Sequence, residues 1–355
     1  MKIGIIAANN IRFSPYIFFY TEILDCLQYE YEVIYPHRSG IEDTEVQFKT
    51  HVIKWRKNYG TTVAYARYAF DVIQVVKRER YDALVVLTTV NAVFLMPYLR
   101  KHYKNRYIMD IRDYTHESIK PYFYLEKKAL KYSMINVISS KKFSRFLPSN
   151  TTYYVCHNVA SYSSQEINTG KINRRKEPIC ISYIGAGNYL DSCENLIRLV
   201  KNDKRFMLRF YGPDTIKVSL IEKKVNIDYP NIMFCGPFSQ NEKGKIIAKA
   251  SILYNAYGNG CELLECALSN KLYDALIFMK PILVSPETYM SEMAGPLGYK
   301  IELSKIDSLD SLYKWYSEID WEEIEKYAKS RIDEINDENK ETVQVIKERL
   351  KKIEE

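Results

Sequence analysis

Short apolar runs alternate with helix-patterned stretches along this 355-residue chain, and that alternation limits its fold more than any other feature. In the first half the runs are 2–7, 32–35, 82–87, 106–111, 135–139 and 153–155, and helical spacing covers 15–27, 62–80, 91–103 and 117–132. The second half repeats the pattern, with strands expected at 180–184, 206–211, 232–235, 251–254, 282–284 and 299–303. Strands separated by helices predict α/β architecture, with parallel sheets covered by helices on both faces. A chain of this length exceeds the size at which one core keeps growing, so two domains are expected. Their expected limits are 1–160 and 179–320, joined by a polar linker at 161–178 rich in Ser, Asn, Lys and Arg. The rest, 321–355, reads as helix, with Ile324, Tyr327, Ile332, Ile335, Val343, Ile346 and Leu350 among mixed charges. The pattern alone also allows a free amphipathic tail or an oligomer helix.

Composition narrows the function. The seven cysteines form no Cys-x-x-Cys, and the five histidines form no pair at metal-ligand spacing, so reduced thiols and no metal motif are expected. No run approaches 18 apolar residues, and Lys2-Ile3-Gly4-Ile5-Ile6-Ala7 reads as a strand rather than a leader, which predicts a soluble, cytoplasmic protein. A formal charge of +7 and 31 tyrosines suit a surface that meets anionic lipid or polyanionic sugar. Nucleic acid is not expected, because no basic-aromatic binding motif is present.

The most informative stretch runs from Ala267 to Ser285. Ser269 and Asn270 are residues that cap a helix start, and Leu272, Tyr273, Ala275, Leu276 and Phe278 follow at helical spacing. Lys280-Pro281 stops the helix, and Ile282 to Val284 read as a buried strand. Lys271 and Asp274 are three residues apart, so they share a helix face near an N-terminus that favours anions. A diphosphate suits that place: Lys271 neutralises phosphate, and the Asp274 carboxylate accepts hydrogen bonds from ribose hydroxyls. The alternative is an ordinary surface ion pair between the two, worth about 0.2 to 0.5 kcal/mol.

Asn270-Lys271-Leu272-Tyr273-Asp274-Ala275-Leu276, followed by Lys280-Pro281-Ile282-Leu283, resembles the donor-site segment of glycosyltransferase family 4. The resemblance implies the GT-B fold, two Rossmann-like domains facing across a cleft, with a terminal helix that crosses back onto the first. It implies a phosphate contact for Lys271 and a ribose contact for Asp274. This chain departs from the family in carrying Asp274 in place of glutamate, and Cys266 where a second glutamate is usual; Glu262 and Glu265 are the candidates to replace it.

Strand exits carry ligands in parallel sheets. Gly185-Ala186-Gly187 follows a strand and leaves bare backbone for a phosphate, and by resemblance meets the donor diphosphate. Ala186 and Ser192 stand where the family commonly has arginine and lysine. Phe234-Cys235-Gly236-Pro237-Phe238 resembles the family's base-binding loop, with Gly236 and Phe238 at the nucleobase, and 254–262 reads as a flexible wall for the donor sugar.

Two strand exits in the first half complete the candidate site. Asn9-Asn10-Ile11-Arg12-Phe13-Ser14-Pro15 lacks dinucleotide-fingerprint glycines, which argues against a Rossmann dehydrogenase; Asn10 and Arg12 are acceptor-side candidates. Asp110-Ile111-Arg112-Asp113-Tyr114-Thr115-His116-Glu117 gathers unusual charge at a strand exit. By resemblance Arg112 and Asp113 stand where the family has a His-Asp pair facing the donor, and they join Lys271 as catalytic candidates. Asp110 and His116 are further acceptor-side candidates; an Arg-Asp network that only fixes the loop is the alternative.

The resemblance thus implies sugar transfer from a nucleotide diphosphate sugar, UDP-linked by expectation, to a saccharide or lipid-linked saccharide. Retention at the anomeric carbon, no metal, no further cofactor, and a role in capsule-like or O-antigen-like polysaccharide synthesis belong to the same expectation. Two other functions fit the fold: a nucleotide-sugar epimerase, and a catalytically silent binding protein.

Overall fold

The computed structural model describes residues 1–38, 46–56, 60–172 and 177–354. The chain forms two compact units, one of 1–158 with 336–355 and one of 159–335.

Unit 1 begins β1 (Lys2–Ile6), α1 (Ile17–Cys26), β2 (Glu30–His37), β3 (Lys49–Lys54) and α2 (Thr61–Glu79). It continues β4 (Ala83–Leu87), α3 (Thr89–His102), β5 (Tyr107–Ile111), α4 (Lys120–Tyr132), β6 (Ile135–Ile138) and β7 (Tyr154–Val155). All seven strands are parallel, in the order β3-β2-β1-β4-β5-β6-β7. β4, β5 and β6 are buried at every position, as strands covered on both faces must be, and they read as apolar runs interrupted only by Asp110 in β5 and Asn136 in β6.

Unit 2 begins α5 (Ser164–Ile172), β8 (Ile179–Ile184), α6 (Cys193–Val200), β9 (Phe206–Tyr211), α7 (Thr215–Glu222), β10 (Ile232–Gly236) and α8 (Gln240–Lys249). After these come β11 (Ile252–Asn255), α9 (Glu262–Cys266), α10 (Asn270–Phe278), β12 (Ile282–Val284), α11 (Tyr289–Ala294), β13 (Gly298–Lys300), α12 (Asp310–Ser317) and α13 (Trp321–Glu354). Its sheet is again parallel, in the order β10-β9-β8-β11-β12-β13. Each sheet therefore reverses its winding direction once, beside its first strand: between β1 and β4, and between β8 and β11. Open parallel sheets bind ligands outside the carboxyl ends of the strands at that reversal.

The expected linker at 161–178 is largely structured. Its 164–172 portion is α5, which packs against α8, and 173–176 lie outside the described residues. The expected tail is the single helix α13. Ile324, Ala328 and Ile335 belong to the core of unit 2, and Ile346 and Leu350 to that of unit 1.

Candidate active site

In unit 2 the carboxyl ends of three neighbouring strands turn on glycine. Gly185 follows β8, Gly212 follows β9 and Gly236 ends β10, and their backbones are lashed together: Gly185 N–H donates to Tyr211 O and Gly212 N–H to Gly236 O, both at 2.9 Å. Gly185, Gly187 and Gly236 have φ of 150°, 89° and 76°, in a region that favours glycine. A Cβ on Gly212 would collide with the Gly185 carbonyl, whereas one on Gly236 would meet open space. The result is a shelf of bare backbone suited to close approach by a ligand.

Helix α10 brings Lys271 to this shelf. Ser269 caps the helix by accepting from the Lys271 N–H at 3.2 Å, which places the Lys271 side chain in the first turn. The Lys271 Nζ lies 3.5 Å from where a Gly185 Cβ would stand. It donates to the Tyr257 hydroxyl at 2.6 Å and lies 5.1 and 5.6 Å from the ring centroids of Tyr257 and Tyr183. Burial among these rings pulls the ammonium down to about 8, against the opposing influence of Asp274. Tyr189, beyond the glycine turn, stacks on Tyr257 at 5.2 Å, so loops from both sides of the winding reversal meet over the lysine. Asn270 is exposed at the start of the same helix, and Phe238 is partly buried beyond Gly236.

Asp274, expected at a ribose, is engaged by protein groups on two sides. It is 2% exposed, and its carboxylate accepts from the Tyr162 hydroxyl at 2.5 Å and pairs with Lys243 Nζ at 2.9 Å. The geometry makes it a tie between α10, α8 and the segment before α5. Lys243 reaches it because a capping box between Ser239 and Glu242 fixes the start of α8. The C-terminal end of α8 is held as well: fully buried Lys280 donates to Ala250 O at 2.7 Å and Ala248 O at 3.3 Å, where a cation complements the exposed carbonyls. The helix α10 itself stops at Met279, whose φ of 52° breaks it just before Lys280-Pro281.

Cys266 is fully buried and donates to Glu262 at 3.6 Å, while Glu265 accepts from the Gly260 N–H at 3.2 Å. Both glutamates proposed to replace the absent family residue therefore brace the loop and short helix α9 in which they lie.

In unit 1 the charged exit of β5 turns inward. Asp110 is fully buried and Arg112 is 8% exposed. Arg112 pairs with both Asp110 oxygens at 2.6 Å and donates to Cys156 O at 3.0 Å, and Tyr20 donates to Asp110 at 2.7 Å. Of the two readings of this loop, the geometry matches the fixing network: a buried carboxylate requires a cation, and Arg112 supplies it. Asp113 and His116 point outward, His116 edge-on to Tyr122 at 5.4 Å. At the β1 exit, Asn10 is 1% exposed and accepts from the Arg38 N–H at 2.9 Å, joining the β1 and β2 exits, while Arg12 is exposed beside it. Among the sequence candidates, the structure thus brings together Lys271 with Gly185, and Arg112 with Asp110.

Tyr183, which flanks Lys271, and Tyr189, which stacks on Tyr257, carried no signal in one dimension beyond the abundance of tyrosine, whereas Tyr257 lies in the 254–262 stretch read as a donor-sugar wall. Tyr162 lay in the stretch read as linker, and Lys243 between the strands expected at 232–235 and 251–254.

No protein-family model matches the chain, and no curated protein matches its sequence. Solved structures match it along its length. Sucrose-phosphate synthase from Thermosynechococcus elongatus aligns with a TM-score of 0.73 at 10% identity, covering 99% of this chain and 98% of that one. HepE of Anabaena, in complex with UDP and glucose, aligns at 0.68 and 11% identity over 98% and 99% of the two chains. WaaG, a glycosyltransferase involved in lipopolysaccharide biosynthesis, aligns at 0.66 and 13% identity over 97% and 99%. The likeness is one of fold: two parallel-sheet Rossmann-like units with a long C-terminal helix, the GT-B fold of glycosyltransferases.

Proposed function

We propose that the chain transfers a sugar from a nucleotide diphosphate sugar, UDP-linked, to a saccharide or lipid-linked saccharide during surface polysaccharide synthesis. The observation that carries this reading is the convergence of Lys271 on the Gly185 turn at the winding reversal of unit 2. As the bond from sugar to phosphate breaks, negative charge grows on the diphosphate. Preorganised donors in a poorly hydrated place stabilise such charge. Lys271 supplies one, the glycine turn leaves its backbone within reach, and the N-terminus of α10 adds its dipole. Arg112 does not meet the donor in this scheme; it holds the β5 exit from which Asp113 projects. Retention of anomeric configuration and independence of metal are part of the proposal by resemblance to family 4.

Membrane-bound acceptors suit one surface of unit 1. On α4 and just before it, Tyr124 and Ile119 are 57% and 52% exposed. Lys127 and Lys128 lie 4.4 and 4.3 Å over the rings of Phe123 and Tyr124. Cations beside exposed rings favour an anionic bilayer interface. Among the described residues no helix is long and apolar enough to cross a membrane, so contact would be peripheral.

A melting-temperature screen against nucleoside diphosphates tests the donor, since a ligand that binds only the folded state raises the midpoint. UDP is expected to give the largest rise. No rise with any diphosphate would remove the transferase reading. Conversion of a nucleotide sugar to its epimer without acceptor would replace transfer by epimerisation. Sedimentation with anionic and neutral vesicles tests the membrane surface, and equal binding to both would refute it.

A further inference from the structure

Successive residues of the loop after β11 face opposite ways. Tyr257 turns to Lys271, while Ala256, Gly258 and Asn259 line a separate cavity of about 660 Å³ behind it. Ser285 closes the floor of this cavity and fixes the loop by accepting from the Gly258 N–H at 2.7 Å. The far walls come from α6, from the turn after α7, and from 301–304 beyond β13. Its volume falls within the range of about 300–1,000 Å³ occupied by small-molecule sites.

The charges on its walls are unevenly committed. Lys223 is engaged by Asp191 and lies 3.8 Å from Glu194, and Glu302 pairs with Lys305 at 2.9 Å. Glu302 is therefore balanced, and Asp191 and Glu194 share one lysine. Arg198, Lys201 and Lys224 line the same cavity, and none has a carboxylate within ion-pair distance among the described residues. Arg198 and Lys201 are three apart at the end of α6 and share a face. Among the described residues Arg198 donates only its Nε, to Asn195 Oδ1 at 2.9 Å. Asn195 is itself locked to Ile306 O at 3.0 Å, so the arginine fork is held from behind. Lys224 follows α7 with a φ of 60°. An arginine fork and two ammonium groups match phosphate or carboxylate oxygens, and the asparagine and serine side chains around them match hydroxyls.

We propose that this cavity is a second binding site in unit 2, for a small anionic saccharide, distinct from the Lys271 shelf. Phosphorylated and carboxylated sugars share the required chemistry, so both are used as probes. Fructose 1,6-bisphosphate and digalacturonate would each be titrated calorimetrically into the full chain. The same titrations would use an Arg198→Ala/Lys201→Ala double variant, Lys224→Ala and Lys271→Ala, each first checked for an unchanged melting temperature. At least one probe is expected to bind at one equivalent. Its affinity should fall at least tenfold in the double variant, fall in Lys224→Ala, and stay unchanged in Lys271→Ala. The probe that binds identifies the anion. Absence of binding by both probes, wild-type affinity in the double variant and Lys224→Ala, or loss of binding in Lys271→Ala would each overturn the proposal. None of these results depends on whether the shelf accepts a nucleotide.

Discussion

Two side chains carry unusual protonation, and each predicts a measurable pH effect. Lys271, held to about 8 by burial, is a cation below that pH and neutral above it. Diphosphate affinity should therefore fall as pH rises through about 8, and the fall should vanish in Lys271→Ala. That variant should also slow transfer by roughly 10- to 1,000-fold, the range for losing one charge-stabilising donor. A pH-independent affinity in the wild type would remove Lys271 from diphosphate recognition. Glu126 on α4 presents the opposite case. It is fully buried, neither carboxylate oxygen has a hydrogen-bond partner among the described residues, and burial, reinforced by nearby Glu117, pushes it up to about 8. Its folded value lies above its unfolded value, so the folded form holds a proton that the unfolded form releases between roughly pH 4.5 and 8. Stability from this group is present at low pH and is lost over that window at about 1.4 kcal/mol per unit. Denaturant titrations at pH 5.5 and 8 should show wild type losing more stability than Glu126→Gln; equal losses would show that Glu126 does not govern the slope.

At the scale of elements, α10 is the best-anchored part of the candidate site. Asp274, itself buried, ties it to the partly buried Lys243 of α8 and Tyr162. Asp274→Asn leaves the Lys243 charge without its partner, and breaking such a pair costs about 3 to 5 kcal/mol. The variant should therefore melt well below wild type, with nucleotide affinity measured on the folded fraction changing less than stability. A large loss of affinity at unchanged melting temperature would return Asp274 to the ribose. The helix, its capping serine and its stop were legible in the sequence because they depend on neighbours in the chain. The partners of its charged residues were not, because pairs such as Asp274 with Tyr162 depend on packing between elements. The same limit explains Arg112, whose sequence admitted both a ligand contact and an inward network. Edge strand β3 was missed for a different reason: only Val52 and Ile53 of its six residues are aliphatic, and Val52 is 55% exposed, so it lacks the apolar run that marks the central strands.

For the whole molecule, the important fact is that unit 1 is built from two separated stretches, 1–158 and 336–355. Ile346 and Leu350 enter its core, Thr342 donates to Val155 O, and the Asn339 side chain bridges the His157 N–H at 2.7 Å and carbonyl at 3.1 Å. Tyr29 donates to Glu354 at 2.6 Å. Removing 336–355 deletes these contacts, and two buried aliphatic side chains alone are worth about 3 to 6 kcal/mol. Limited proteolysis of that truncation should cut unit 1 first while fragments of unit 2 persist. Equal resistance of unit 1 in both forms would show that the C-terminal segment is dispensable to it. The two sheets, their parallel sense and the helical tail were visible as alternating patterns, whereas the split of α13 between two cores leaves no mark in a continuous amphipathic repeat.

Because the strands of residues 1–158 wait for residues 336–355, synthesis itself acquires an order. A ribosome that has delivered unit 2 still holds the segment that seals unit 1, so unit 1 is begun before unit 2 and finished after it. Any stall before residues 336–355 emerge would leave an open apolar seam beside β7, where chaperones and proteases find their targets.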